Sequence, residues 1–159
     1  MRPNRIAAAL AALLSLQPAA ANALAACTAS ATGVSFGSYD PLSPTPRIST
    51  GSVTVSCDLL LGISLLVAYS ISLSQGNGTF STRQLSAGPG KTMNYNLFTS
   101  GTYGSVWGNG SGGSVMVYDG YLLGLAMATT SYPIYGRIPA LQNVPAGNYT
   151  DTILVTVTY

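Results

Sequence analysis

Histidine and glutamate are both missing from the 159 residues, and the four acids are all aspartate: Asp40, Asp58, Asp119 and Asp151. Without histidine there is no Ser-His-Asp triad, no imidazole metal site, and no side chain that titrates near neutrality unshifted. Lysine occurs once, at Lys91, and good helix formers beyond Ala and Leu are scarce, which argues against an exposed, salt-bridged helical protein. Charged residues at 6% against 47% hydrophobic exclude the usual disordered class. Enzyme signatures are missing too. The four Asp are scattered, Gly88 stands where a Ser-x-x-Lys dyad with Lys91 would need serine, and no Gly-x-Ser-x-Gly, Walker or calcium loop occurs. The sequence therefore predicts no catalytic residue, no cofactor and no metal. What is abundant is small and polar: 19 Ser, 16 Thr and 18 Gly make up a third of the chain.

The first 25 residues read as a secretory signal peptide. Arg2 and Arg5 precede an apolar run from Ile6 to Leu16, Pro18 breaks it, and Ala21-Asn22-Ala23 and Ala23-Leu24-Ala25 offer small-x-small cleavage sites near 23–25. The run is too short to span a bilayer, which takes about 20 apolar residues. Residues 26–159 are then one domain, in which Arg47, Arg83, Lys91 and Arg137 balance the four Asp. Zero net charge removes the electrostatic motive for binding nucleic acid or an acidic membrane.

Export also frames the two cysteines. An even count at Cys27 and Cys57 in an oxidising compartment reads as one disulfide, worth roughly 3–4 kcal/mol on the chain-entropy model. A second reading stays open, because Leu24-Ala25-Ala26-Cys27 has the shape of a lipobox in which Cys27 would be lipidated.

Apolar residues recur with period two. Val53, Val55 and Cys57 alternate with hydroxyl residues, as do Val67, Tyr69, Ile71 and Leu73. Met93, Tyr95 and Leu97 alternate with Thr92, Asn94 and Asn96, and Ile153, Val155, Val157 and Tyr159 with Thr152, Leu154, Thr156 and Thr158. Each run has one apolar face, the mark of a strand buried on one side. Turn signals such as Gly76-Asn77-Gly78, Gly88-Pro89-Gly90 and Pro145-Ala146-Gly147 separate them. No amphipathic helix intervenes, so the expectation is an antiparallel sandwich or barrel. Two runs, Leu59–Val67 and Tyr121–Ala128, are apolar all round. They predict strands buried on both faces, with an exposed sticky loop as the competing reading.

Three features stand outside this pattern. The Gly108–Gly113 stretch has the composition of a phosphate cradle but no lysine follows, so loop flexibility accounts for it better. Sequons at Asn77, Asn109 and Asn148 matter only in a glycosylating host. Ten Tyr and Trp107 offer a sugar-stacking platform, although such residues more often pair within sheets.

The ordered motifs Phe36-Gly37-Ser38-Tyr39, Gly51–Cys57 and Tyr69–Gly76 resemble the spore coat protein U domain family. The resemblance continues through Arg83-Gln84-Leu85, Tyr95-Asn96-Leu97-Phe98, Trp107-Gly108, Tyr135-Gly136-Arg137 and Gly147-Asn148-Tyr149-Thr150-Asp151. The family is similar to subunits of archaic chaperone–usher pili. The resemblance implies an incomplete immunoglobulin-like β-sandwich, pilin-like, that lacks its last strand and is completed by a donor strand from a partner. It places Cys27 and Cys57 at the positions of the family disulfide. It implies three partners: a periplasmic chaperone, an outer-membrane usher and a neighbouring pilus subunit that donates the strand. It also implies passage through the periplasm to the cell surface, and a role in attachment or biofilms. Ile153, Val155, Val157 and Tyr159 would line the acceptor groove.

Shaft subunits in this family carry a donor segment between cleavage site and first cysteine. Here one to three residues precede Cys27, fewer than the five or so a strand needs. The expectation is an acceptor that does not donate, hence a tip or minor subunit. The competing readings are a spore-coat or extracellular matrix protein, or a small carbohydrate-binding adhesin using Trp107.

Overall fold

A computed structural model describes residues 25–59, 65–123 and 127–159. The proposed signal peptide lies outside these residues, apart from Ala25. Eight strands carry the fold: β1 (Ala25–Thr32), β2 (Arg47–Leu59), β3 (Leu65–Leu73), β4 (Arg83–Ser86), β5 (Thr92–Phe98), β6 (Val117–Leu123), β7 (Ala128–Ile138) and β8 (Val155–Thr158). They form two antiparallel sheets, one ordered β1-β2-β7-β5-β4 and the other β6-β3-β8. Among the described residues there is no helix, and so none long and apolar enough to cross a membrane.

Period-two patterning produces this arrangement directly. Val53, Val55 and Cys57 of β2 and Ile134 and Ile138 of β7 face Val67, Tyr69, Ile71 and Leu73 of β3, all buried in one core. Met93, Tyr95 and Leu97 of β5 join them. Burying one large apolar side chain contributes about 1.5–3 kcal/mol, so this shared layer holds the sheets together. The outer face of the larger sheet is a hydroxyl ladder: Thr28, Ser56 and Thr129 lie in register, as do Ser30, Thr54 and Ser131. Pro133 is tolerated inside β7 because β5 pairs only with Tyr135 onwards, leaving that edge of β7 without a sheet neighbour at 133.

The two all-apolar runs lie largely outside the described residues, which leave out 60–64 and 124–126. Within the described parts, Leu66 is 69% exposed and Met127 61% exposed, so neither position is buried on both faces. One expectation needs correction. The C-terminal strand is shorter than its alternation suggests. Ladder pairing with β3 covers only Val155–Thr158, because upstream the Leu154 amide bonds the Ser74 hydroxyl (2.9 Å) and Asp151 makes side-chain bonds of its own.

Candidate functional site

β8 is an edge strand of the smaller sheet and β1 an edge strand of the larger, and contacts beyond their ends mark a seam between them. At one end of that seam the Tyr159 hydroxyl donates to the Cys27 carbonyl at 3.4 Å. At the other end, residues 34–39 following β1 and residues 144–151 preceding β8 line a single cavity of about 910 Å3. Leu85, Met93 and Ile138 reach it from the core. Among the described residues no strand pairs with the outer edge of either β1 or β8.

The side chains along the seam report the same opening. Ile153, Val155 and Val157 pack against the core yet remain half-buried, whereas Thr152, Leu154, Thr156 and Thr158 point outward and are exposed. Ala29 and Ala31 of β1 alternate in phase with Cys27, on the core side, and are nevertheless exposed. Tyr159 departs from its expected place, being 58% exposed with only its hydroxyl reaching back to β1.

The walls of the seam are fixed by covalent and polar anchors. Cys27 and Cys57 are disulfide-bonded, joining β1 to β2 at facing positions of the ladder. Because Cys57 is wholly buried, the bond holds the start of β1 against the core. On the other wall, Asp151 accepts from the Tyr95 hydroxyl (2.6 Å) and from the amides of Asn77 (3.0 Å) and Thr152 (2.8 Å). Gly76 lies directly against that carboxylate, and a Cβ there would run into it. Burial, then the bond to Asp151, pushes the Tyr95 hydroxyl far above its ordinary value, so it stays a donor.

Behind Tyr95 sits a wholly buried cation, Arg83. Its Nε and one terminal nitrogen donate to the Ser74 carbonyl at 3.2 and 2.8 Å, and the guanidinium also reaches the Trp107 carbonyl (2.7 Å) and Asn96 Oδ1 (2.6 Å). Burial lowers its pKa, while Tyr95 and Asp151 act in the opposite sense. Arg83 thus ties β3, β5 and the loop at Trp107 together through their oxygens. Trp107 is 0% exposed and donates its indole N–H to the Ile71 carbonyl at 3.0 Å, so it cannot serve as a sugar platform.

The remaining motif residues divide between these structures. Phe36, Gly37, Gly147, Tyr149 and Asp151 line the cavity, and Phe36 sets its ring edge-on to Tyr95 at 6.1 Å. Gly136 packs beneath Val34 and Phe36, where a side chain has no room. Tyr69 lies in the core and touches Tyr132, bridging the sheets. Gly108 sits against Phe80 and Ser114. Tyr135 and Arg137 are elsewhere, on the outer face of β7, where the Arg137 guanidinium covers the Tyr103 ring at 5.4 Å. Sequence reasoning singled out neither Arg83 as a buried cation nor Tyr132 and Asp119 as an inter-sheet pair. Isolation of Arg83 among apolar alternations was the available signal.

A family model described as the Spore Coat Protein U domain matches residues 12–156. The chain belongs to that family. Within its reach, Protein U of Myxococcus xanthus is 29% identical over 133 residues, covering 79% of this chain and 71% of the relative. A solved structure shares the fold of this Spore Coat Protein U domain, with a TM-score of 0.55 and 22% identity. It is the crystal structure of the CsuC–CsuE chaperone–tip adhesion subunit pre-assembly complex from archaic chaperone–usher Csu pili of Acinetobacter baumannii. The match covers 86% of this chain but 40% of that chain, so the Spore Coat Protein U domain corresponds to less than half of its length. Among the described residues no group of three His, Cys, Asp or Glu side chains gathers to hold a metal ion.

Proposed function

We propose that this protein is a strand-accepting, non-enzymatic structural subunit of a chaperone–usher type surface fibre. The observation that carries the reading is the unpaired outer edge of β8, beside half-buried Ile153, Val155 and Val157, with the likewise unpaired edge strand β1 reached by Tyr159. An incoming strand would satisfy the backbone of β8 and cover that apolar row, as strand addition does elsewhere. A periplasmic chaperone would fill the seam first and a neighbouring subunit later, with an outer-membrane usher between them and the cell surface as destination. The fold shared with a chain of a chaperone–tip adhesion subunit complex supports the same class of partner. An open edge of this kind invites aggregation until it is covered.

Residues 1–25 act as the signal peptide, and 26–159 as the secreted domain. With so few residues ahead of Cys27, the subunit accepts a strand without giving one, which suits a tip or minor position in attachment or biofilm formation. Co-expression tests this. The domain made with a chaperone encoded beside it should purify as a soluble one-to-one complex, and without it most of it should aggregate. A domain as soluble and monomeric without the chaperone as with it would overturn the reading.

A further inference from the structure

We propose that Asn109 is a self-modifying site, where the loop itself promotes slow conversion of the carboxamide to a carboxylate through a cyclic imide. The dipeptide Asn109-Gly110 lies in the exposed loop between Trp107 and Ser114. Asn109 Oδ1 accepts two hydrogen bonds from one residue, the Ser111 hydroxyl at 2.6 Å and the Ser111 amide at 3.0 Å. Both donors fix the carboxamide and draw electron density from its carbon. The Gly110 amide, next along the chain, makes no hydrogen bond among the described residues. Having no side chain, Gly110 leaves the approach to that carbon open.

The chemistry closes on these atoms and water. Water or hydroxide removes the proton from the Gly110 nitrogen, which attacks Asn109 Cγ. The C=O electron pair moves onto Oδ1, where the two Ser111 donors stabilise the developing charge as an oxyanion hole does. Collapse breaks the Cγ–Nδ2 bond, and the nitrogen takes up a proton and leaves as ammonia. Water then opens the five-membered imide at either carbonyl, giving aspartate or its β-linked isomer. No oxidant or reductant is required.

The same chain holds the control. Asn77-Gly78 is the identical dipeptide, and its glycine amide, like that of Gly110, makes no hydrogen bond among the described residues, but the groups around it differ. Asn77 is tied down by its own amide on Asp151 (3.0 Å) and by the Gln84 amide on its carbonyl (2.8 Å). The bonds of the bridge that pairs Gly78 with Arg83 are made on either side of Gly78, by the Asn77 carbonyl and by the Thr79 amide on Thr82, and they hold the backbone of the dipeptide in a ladder. Among the described residues no donor reaches the Asn77 carboxamide oxygen. Sequence alone ranks the two sites equally, and the hydrogen bonds separate them.

The experiment is a time course on the purified full chain in mildly alkaline buffer at body temperature, read by peptide mapping with mass spectrometry and isoaspartate detection. Asn109 should convert at least roughly tenfold faster than Asn77. Ser111→Ala removes one of the two oxyanion donors in a solvated loop and should slow Asn109 by roughly tenfold, with Asn77 unchanged as internal clock. The Ser111 carbonyl that accepts from Ser114 is kept in that variant, so the loop still closes. Ser111→Thr retains the hydroxyl and should retain the rate. Equal rates at the two asparagines, an unconverted Asn109, or a Ser111→Ala variant as fast as the parent would each overturn the proposal.

Discussion

The Tyr95 hydroxyl donates to Asp151 Oδ2 at 2.6 Å, joining the middle of β5 to the segment that leads into β8. β8 itself pairs with β3 over only four residues, so its position depends on what holds its approach. Asp151 supplies that hold by gathering a phenol and two amides onto one carboxylate.

Tyr95→Phe keeps the ring in the core and removes the strongest of these donors. A hydrogen bond to a charged group contributes about 1.5–3 kcal/mol, and the variant should lose about that much stability in denaturant unfolding. Tyr149→Phe deletes a bond to the Pro145 carbonyl (2.7 Å) on an exposed segment, and should cost about 1 kcal/mol or less. Equal losses would show that Asp151 does not anchor the approach to β8.

Arg83 offers a sharper test. Its guanidinium holds the Ser74 and Trp107 carbonyls and the Asn96 side chain at once, in a fork that an ammonium cannot reproduce. Arg83→Lys should therefore destabilise by about 3 kcal/mol or more, through carbonyls left unpaired in the core. Arg47→Lys is the control, because Arg47 is exposed and donates to a single carbonyl, that of Phe36 at 2.6 Å. It should lose about 1 kcal/mol in thermal or denaturant unfolding, and a loss as large as that at Arg83 would refute the argument.

The polar bridge between sheets sets an expected pH dependence. Tyr132 of β7 donates to Asp119 Oδ2 of β6 at 2.6 Å, and its hydroxyl also contacts that of Tyr69 on β3. The Tyr132 hydroxyl, then the Gly120 amide, hold the Asp119 carboxyl below its ordinary value of 3.8. A depressed folded pKa means stability that is present above the unfolded pKa and lost as pH falls through the folded one. Burial, then Asp119, pushes Tyr132 up from 10.0 to about 12, so a second loss sets in as pH rises from 10 towards 12. Unfolding midpoints measured across this range should fall at both ends. Asp119→Asn should flatten the acid limb, and an unchanged acid limb would refute the role of the pair.

Much of this was legible in the sequence, and the reasons are physical. A strand buried on one side must alternate, so Val53–Cys57, Val67–Leu73 and Met93–Leu97 announced β2, β3 and β5. The strands that were missed lack that contrast: β1 reads Ala-Ala-Cys-Thr-Ala-Ser-Ala-Thr because its core side faces the open seam, and β7 carries a proline. Family motifs pointed to Asp151 and Phe36 without saying why. Their meaning is relational, because the bonds from Asp151 to Tyr95 and Asn77 bridge separations of 56 and 74 residues, which no local pattern encodes.

The seam makes the most direct prediction about assembly. Val155 and Thr156 are neighbours on β8, and only Val155 turns toward the core. Val155→Asp puts an unpaired charge into the apolar row that an incoming strand would cover, at a cost of several kcal/mol once that strand is in place. Thr156→Asp stays in water on the outer face. Capture of the periplasmic chaperone in co-expression should therefore fall sharply for Val155→Asp and little for Thr156→Asp. Hydrogen exchange adds a readout that folding alone would not move. In the uncomplexed domain the outward amides of β8 should exchange freely, and they should become protected when a strand is added. A one-residue change of register would exchange the two faces, so equal effects of the two substitutions would contradict the assigned orientation of β8. Protection of β8 with no partner present would mean that the seam is already closed, and would remove the basis for strand acceptance.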